Sequence, residues 1–183
     1  MSHEVLIPAG IHDQVRGHLF QNDLEQAAFL FARTETTAEG VQFHVDDCYL
    51  VPAAGWDVQM DVYLEMSDDE RAKILKMARD RKAAIIDCHS HPHSQEEVWF
   101  SPSDLAGITE FAQYAKWKLQ GRPFAALVFA EGSIDGVVWQ GDFAGAEPLL
   151  ALSIVGQARL RPTGSWFSRP KLMRTNRFSS YED

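Results

Sequence analysis

A chain of 183 residues with 17 Lys and Arg against 26 Asp and Glu carries a formal charge of −9, and 45% of its residues are hydrophobic. That is the make-up of a globular domain able to bury a core, and the acidic balance disfavours general binding to nucleic acid or to anionic membranes. No apolar run reaches the length of a membrane span, the N-terminal stretch lacks a signal-peptide core, and two cysteines, Cys48 and Cys88, are too few for a disulfide scaffold; the expected address is the cytoplasm.

In chain order, Ile11, Val15 and Leu19 recur at i, i+4 and i+8 after Pro8 and predict a helix over 8–20. Ala27 to Ala32 is a short aromatic and apolar run that reads as a buried strand. After the polar turn Thr34 to Gly40, Val41, Phe43 and Val45 alternate with Gln42, His44 and Asp46, which predicts a half-exposed strand antiparallel to the first. Residues 52–66 carry no assigned element. Ser67-Asp68-Asp69-Glu70 has capping-box spacing and opens a helix to Lys82, and Ala83 to Cys88 follows as a continuous apolar strand. Ser101-Pro102-Ser103-Asp104 repeats the cap and starts a helix whose stripe is Leu105, Ile108, Ala112, Ala115 and Leu119, ending near Gly121. Phe124 to Ala130 and Gly136 to Gln140 are read as a hairpin around Gly132.

The expected fold is therefore α/β, a single domain with a mixed β-sheet flanked by helices, over residues 1–155. Residues 156–183 form a basic, aromatic C-terminal tail, docked or disordered. The tail holds six basic residues against Glu182 and Asp183, a net +4, which leaves −13 for the rest. This asymmetry fits a tail that folds back on the acidic body or captures an acidic partner, with Trp166, Phe167 and Phe178 as anchors and Tyr181 adding a fourth aromatic. Neither role involves the chemistry described next.

That chemistry lies in Asp87-Cys88-His89-Ser90-His91-Pro92-His93, at the end of the apolar strand. Side chains alternate on a strand, so His89 and His91 share a face roughly 6–7 Å apart at Cα and can converge on one ion. Asp104, in the first turn of the next helix, could add a carboxylate oxygen. Two imidazoles, one carboxylate and a position left for water make the ligand set of a catalytic zinc site, which then needs a non-ligand Glu as general base. The simpler reading of Ser101 and Asp104 is a helix cap alone; for the histidines it is a solvated pair after a strand. Cys88 points away from His89 and is a core thiol rather than half of a Cys–His dyad, and His93 reads as a loop residue, because a fourth protein ligand would displace the water.

His89-Ser90-His91-Pro92 followed by Ser101-Pro102-Ser103-Asp104 resembles the His-x-His-Pro…Ser-x-x-Asp signature of the JAB/MPN (JAMM) metalloproteases. Glu25, heading Glu-Gln-Ala-Ala-Phe-Leu-Phe-Ala, looks like the family's upstream Glu. The resemblance spans roughly residues 5–145 and implies the MPN/JAB sandwich, of the cytidine-deaminase-like kind. It also implies that His89, His91 and Asp104 bind zinc, that Glu25 is general acid/base, and that Ser101 polarises the scissile carbonyl or stabilises the oxyanion. Two features depart from the pattern: a long connection between His91 and Asp104, carrying His93, Glu96 and Glu97, and Ala28 and Ala32 where the family has small residues of the glycine kind.

The activity implied is a zinc-dependent isopeptidase or peptidase cleaving after the C-terminus of a ubiquitin-like protein. It would work alongside the activating and conjugating enzymes of that modifier, in the manner of stand-alone bacterial JAB proteins, some of them in antiphage operons. The alternatives are a non-catalytic MPN scaffold, or a JAB hydrolase that processes a sulfur-carrier protein or a small cysteine adduct.

Overall fold

The computed structural model of the chain describes residues 1–95 and 97–168. Its elements are β1 (His3–Pro8), α1 (Ala9–Leu19), β2 (Ala27–Thr36), β3 (Val41–Leu50), β4 (Trp56–Gln59), β5 (Leu64–Met66), α2 (Asp68–Arg81), β6 (Ala84–Ser90), α3 (Pro102–Lys118), β7 (Phe124–Phe129), β8 (Ile134–Trp139), β9 (Glu147–Val155), β10 (Ala158–Leu160) and α4 (Ser165–Ser168).

The caps expected from sequence set the helix starts. Ser67 Oγ accepts the Glu70 N–H ahead of α2, and Ser101 and Asp104 exchange a reciprocal pair of bonds ahead of α3. The expected antiparallel pairs are present as β2–β3 and β7–β8.

The expected α/β fold, a mixed sheet flanked by helices, is corrected. Strands run in the order β1-β3-β2-β6-β7-β8-β9, and β9 then pairs with β1 in parallel, so seven strands close into a barrel, with β10 appended to β9. The fold is mostly β with few helices. Closure depends on β1 and β9, which lie at opposite ends of the chain and to which sequence periodicity assigned no element. Their pairing joins His3 through Pro8 to Leu149 through Val155, and long-range pairing of this kind leaves no local signature. Closure also removes the two sheet edges that an open sheet would have exposed.

Two apolar clusters occupy the two faces of this sheet. Val5, Leu30, Phe43, Ile86, Leu127, Val138 and Leu152, one from each barrel strand, meet inside it, together with Val15 and Leu19 of α1. Gly136 lies where β8 is crowded by this interior: a Cβ there would stand 2.7 Å from a Leu149 methyl and 2.8 Å from one of Leu127. Outside, Phe29, Phe31, Ile85, Phe124, Val128 and Trp139 receive Ile74, Leu75 and Ala78 of α2 and Ile108, Ala112 and Ala115 of α3. Strands β6 and β7 and the Ala27–Ala32 part of β2 are buried on both faces, which is why they read as continuous apolar runs rather than alternating ones. Cys88 is fully buried in the inner cluster, and both cysteines are free thiols.

The tail begins as structure. β10 pairs with β9, and Trp166 of α4 packs against the outer cluster. Arg169, Lys171, Arg174, Arg177, Phe178 and Tyr181 lie outside the described residues, as does Glu96. Among the described residues no helix is long and apolar enough to cross a membrane.

Candidate metal centre

The site grows from the end of β6. β2 and β6 pair antiparallel with Ala27 opposite His89, so the residue two before Ala27 faces the residue two after His89. The pairing continues past the strand ends: Ser90 N–H donates to the Gln26 carbonyl at 3.0 Å, and the Gln26 N–H donates back to Ser90 Oγ at 3.0 Å. On the other side the His91 N–H donates to the Phe129 carbonyl at 2.8 Å. Backbone on both flanks thus fixes the His-x-His segment. Its alternation puts Asp87 and His89 on the outer face, where α3 arrives, and Cys88 inside.

His89, His91 and Asp104 come together, with one donor atom from each and all three within 4.8 Å of one another. Asp104 Oδ2 stands 3.5 Å from His89 Nε2 and 3.3 Å from His91 Nε2, and it accepts the Ser101 N–H at 2.6 Å. The helix cap and a place in the donor group are therefore properties of the same carboxylate, so the two readings of Ser-x-x-Asp do not compete. Glu25, only 6% exposed, places Oε1 3.5 Å from His91 Nε2. Its backbone is held by Glu25 N–H to the Met60 carbonyl and by the Gln59 side-chain amide to the Glu25 carbonyl, each at 2.9 Å.

Burial pushes the Glu25 carboxyl up to about 7; His89 opposes this, and the Asp104 and Asp61 carboxylates add to it. Burial would also raise Asp104, but the His89 and His91 rings within 3.5 Å, the charge of His89 and the Ser101 N–H hold it well below the usual carboxylate range. For His89 the order is reversed: burial disfavours its charge, yet the adjacent Asp104, then Asp87 and Glu25, raise it overall.

The donor set suits a divalent metal. His89 Nε2 is buried without a hydrogen-bond partner, an orphaned acceptor or donor that a protein interior rarely tolerates, and a cation bound to it would satisfy it. Two imidazole nitrogens with one carboxylate oxygen match zinc, and three protein donors rather than four match a catalytic site.

Ser101 is placed as the N-cap of α3. Its Oγ accepts the Asp104 N–H at 3.2 Å and lies 2.8 Å from Ser103 Oγ. His93 stays apart from the metal-facing group and faces Asp61 at 3.9 Å. Asp87 is the residue that sequence reasoning quoted but gave no role. Burial raises its carboxyl to about 6, with Asp104 adding and His89 and Arg71 opposing, and it lines the same cleft as His89. The signal was present: Asp87 precedes His89 by two and so shares its face.

The cleft beside these groups has a volume of about 420 Å³. Its apolar wall is Trp56, Leu64 and Met66 from the β4–β5 hairpin with Ile108 and Phe111 from α3, and its floor carries Glu25, Asp87, His89 and Asp104. It is a concave, largely apolar surface with a few convergent polar groups.

No protein-family profile matches the chain, and no curated protein does. Among solved structures, the chain is similar to the solution structure of protein DSY2949 from Desulfitobacterium hafniense, a structural-genomics target. The two share 15% identity and align with a TM-score of 0.53 over 82% of this chain and 93% of that one, a likeness of fold.

Proposed function

We propose that this chain is a zinc-dependent peptidase or isopeptidase of the JAB/MPN type, acting after the C-terminus of a ubiquitin-like protein. The observation that carries the reading is the juxtaposition of a buried, non-ligand Glu25 with three metal-type donors, Oε1 standing 3.5 Å from His91. The side-chain constellation supports it; the barrel is not the fold that the resemblance implied.

His89, His91 and Asp104 would hold zinc, which supplies activation of water near neutral pH and polarisation of the scissile carbonyl. Glu25, its carboxyl held near neutrality by burial, accepts the proton of the attacking water and returns it to the leaving amine. The Ser101 oxygen accepts the Asp104 N–H and, with the Ser103 hydroxyl 2.8 Å away donating to it as well, its own proton would be turned to a developing oxyanion. An extended C-terminal tail would lie in the cleft beside the β4–β5 hairpin, gripped by strand addition and apolar contact. The modifier's activating and conjugating enzymes are the proposed companions. The cytoplasm is the proposed compartment, in keeping with two free thiols.

The test is cleavage of a ubiquitin-like protein carrying either a linear C-terminal extension or an isopeptide-linked lysine, by zinc-loaded protein. Release of the mature modifier by wild type but not by Glu25→Gln is expected. Equal release by both, or intact substrates with zinc demonstrably bound, would contradict the proposal.

A further inference from the structure

The connection from His91 to α3 carries both the approach to Ser101 and the cover of the His89 ring, yet its described residues form no strand or helix. A segment read from sequence as part of a tail, docked or disordered, helps to hold it. Asp135 of β8 is fully buried. Its Oδ1 accepts the Gly136 N–H at 2.8 Å and the Gly164 N–H at 3.0 Å, and its Oδ2 accepts the Ser165 N–H at 2.9 Å and the Ser165 hydroxyl. A buried carboxylate with donors on both oxygens is a satisfied anchor, and three of those donors come from Gly164 and Ser165. Gly164 turns the chain there with φ +72°, a left-handed conformation in which glycine is the least strained residue.

From this anchor two contacts reach the loop. The Thr163 hydroxyl donates to the Val98 carbonyl at 2.9 Å, while the Val98 N–H donates to Ser133 Oγ at 2.8 Å. The Trp166 ring meets Phe100 edge-on at 5.1 Å and Trp139 at 5.5 Å, and Phe100 in turn lies 6.0 Å from the His89 ring. Phe100 directly precedes Ser101, whose N–H is bonded to Asp104. One aromatic therefore touches a metal-facing imidazole on one side and leads into the cap of the metal-facing carboxylate on the other.

We propose that Thr163–Trp166 is a clamp that positions the candidate metal centre, with Trp166 a positioning residue acting through Phe100 on His89 and on the Ser101–Asp104 cap. This clamp departs from the expectation that the segment stands apart from the site's chemistry. The clamp itself is independent of which ion the site holds; its zinc readout rests on the metal reading above.

The test uses the full chain as wild type, Trp166→Ala, Trp166→Phe and Val15→Ala, the last a core truncation in α1. Amide exchange at Val98 and Ser101 is followed alongside zinc affinity measured by competition with a chromogenic chelator. Trp166→Ala should accelerate exchange at both amides and weaken zinc binding by about 10-fold, the lower end of the effect of removing an outer support of a metal site. Trp166→Phe should restore most of both, and Val15→Ala should lower the melting temperature without moving zinc affinity. Wild-type exchange at Val98 and Ser101 in folded Trp166→Ala would overturn the clamp, as would an affinity loss no greater than that of Val15→Ala. If wild type binds no zinc, the metal reading fails and exchange at the two amides alone decides the clamp. If Trp166→Ala does not fold, Thr163→Val, which deletes only the hydroxyl bond to Val98, is judged by the same exchange criterion.

Discussion

Glu25 and His91 face one another across the ends of two antiparallel strands, with Oε1 and Nε2 3.5 Å apart. The contact follows from register: Ala27 pairs with His89, and two more residues on each strand bring the carboxylate to the second histidine. A carboxyl placed this way is beside the metal-type donors without being required to complete their set. Glu25→Gln should therefore retain zinc and the fold while lowering turnover by about 10²–10⁴-fold, the usual worth of general acid–base catalysis. Undiminished turnover would transfer the role to Asp87, the other raised carboxyl of the cleft, and Asp87→Asn would then be the inactive variant.

The stability of the metal-free protein should depend on pH in a defined direction. Burial raises Glu25 to about 7 and Asp87 to about 6, and the Asp104 charge outweighs burial to raise His89. Each binds its proton more tightly folded than unfolded, so the stability each contributes is present below its unfolded value and is lost as pH rises through its folded value. Asp104, held low, works in the opposite sense and loses its contribution only in acid. The melting temperature without metal should accordingly fall between about pH 4 and 8, and Glu25→Gln should flatten the fall. A cation in the site offsets the carboxylate charge, so the rise in melting temperature on adding zinc should be larger at pH 8 than at pH 5. Thermal scans across this range check all three; a melting temperature that climbs with pH without metal would refute the assignment.

Asp104 serves two partners, and substitution can separate them. An amide oxygen can still accept the Ser101 N–H, so Asp104→Asn should keep the cap while weakening zinc binding at least 10-fold through loss of charge. Asp104→Ala should in addition lose the carboxylate half of the capping box, the bond from Ser101 N–H, while the Ser101 Oγ half stays, at a cost of up to about 1 kcal/mol or roughly 2–4 °C in melting temperature for a chain of this size. Melting curves of metal-free protein at pH 8, beside chelator competition, distinguish the two; identical melting temperatures for the Asn and Ala variants would show that the side-chain bond to Ser101 N–H contributes nothing.

The parts of the site encoded locally were legible in the sequence. Strand alternation puts His89 and His91 on one face, and the capping box at Ser101 and Asp104 sets the start of α3. Glu25 was reachable only through resemblance, since its place opposite His91 depends on the β2–β6 register. Barrel closure was not legible, because β1 and β9 meet across nearly the whole chain and neither announces its partner. The clamp was hidden for a related reason: Thr163 and Trp166 sit in a Pro-, Ser- and Arg-rich stretch, and their binding to β8 and to Phe100 depends on a buried Asp135 that looks, in sequence, like one more turn residue.

Zinc stoichiometry tests the central claim most directly. Purified protein stripped of metal, titrated with zinc and measured by elemental analysis after desalting, should hold one zinc per chain in the wild type and in Glu25→Gln, and almost none in His89→Ala or His91→Ala. A wild type that retains no zinc, or a folded His91→Ala that retains a full equivalent, would contradict it.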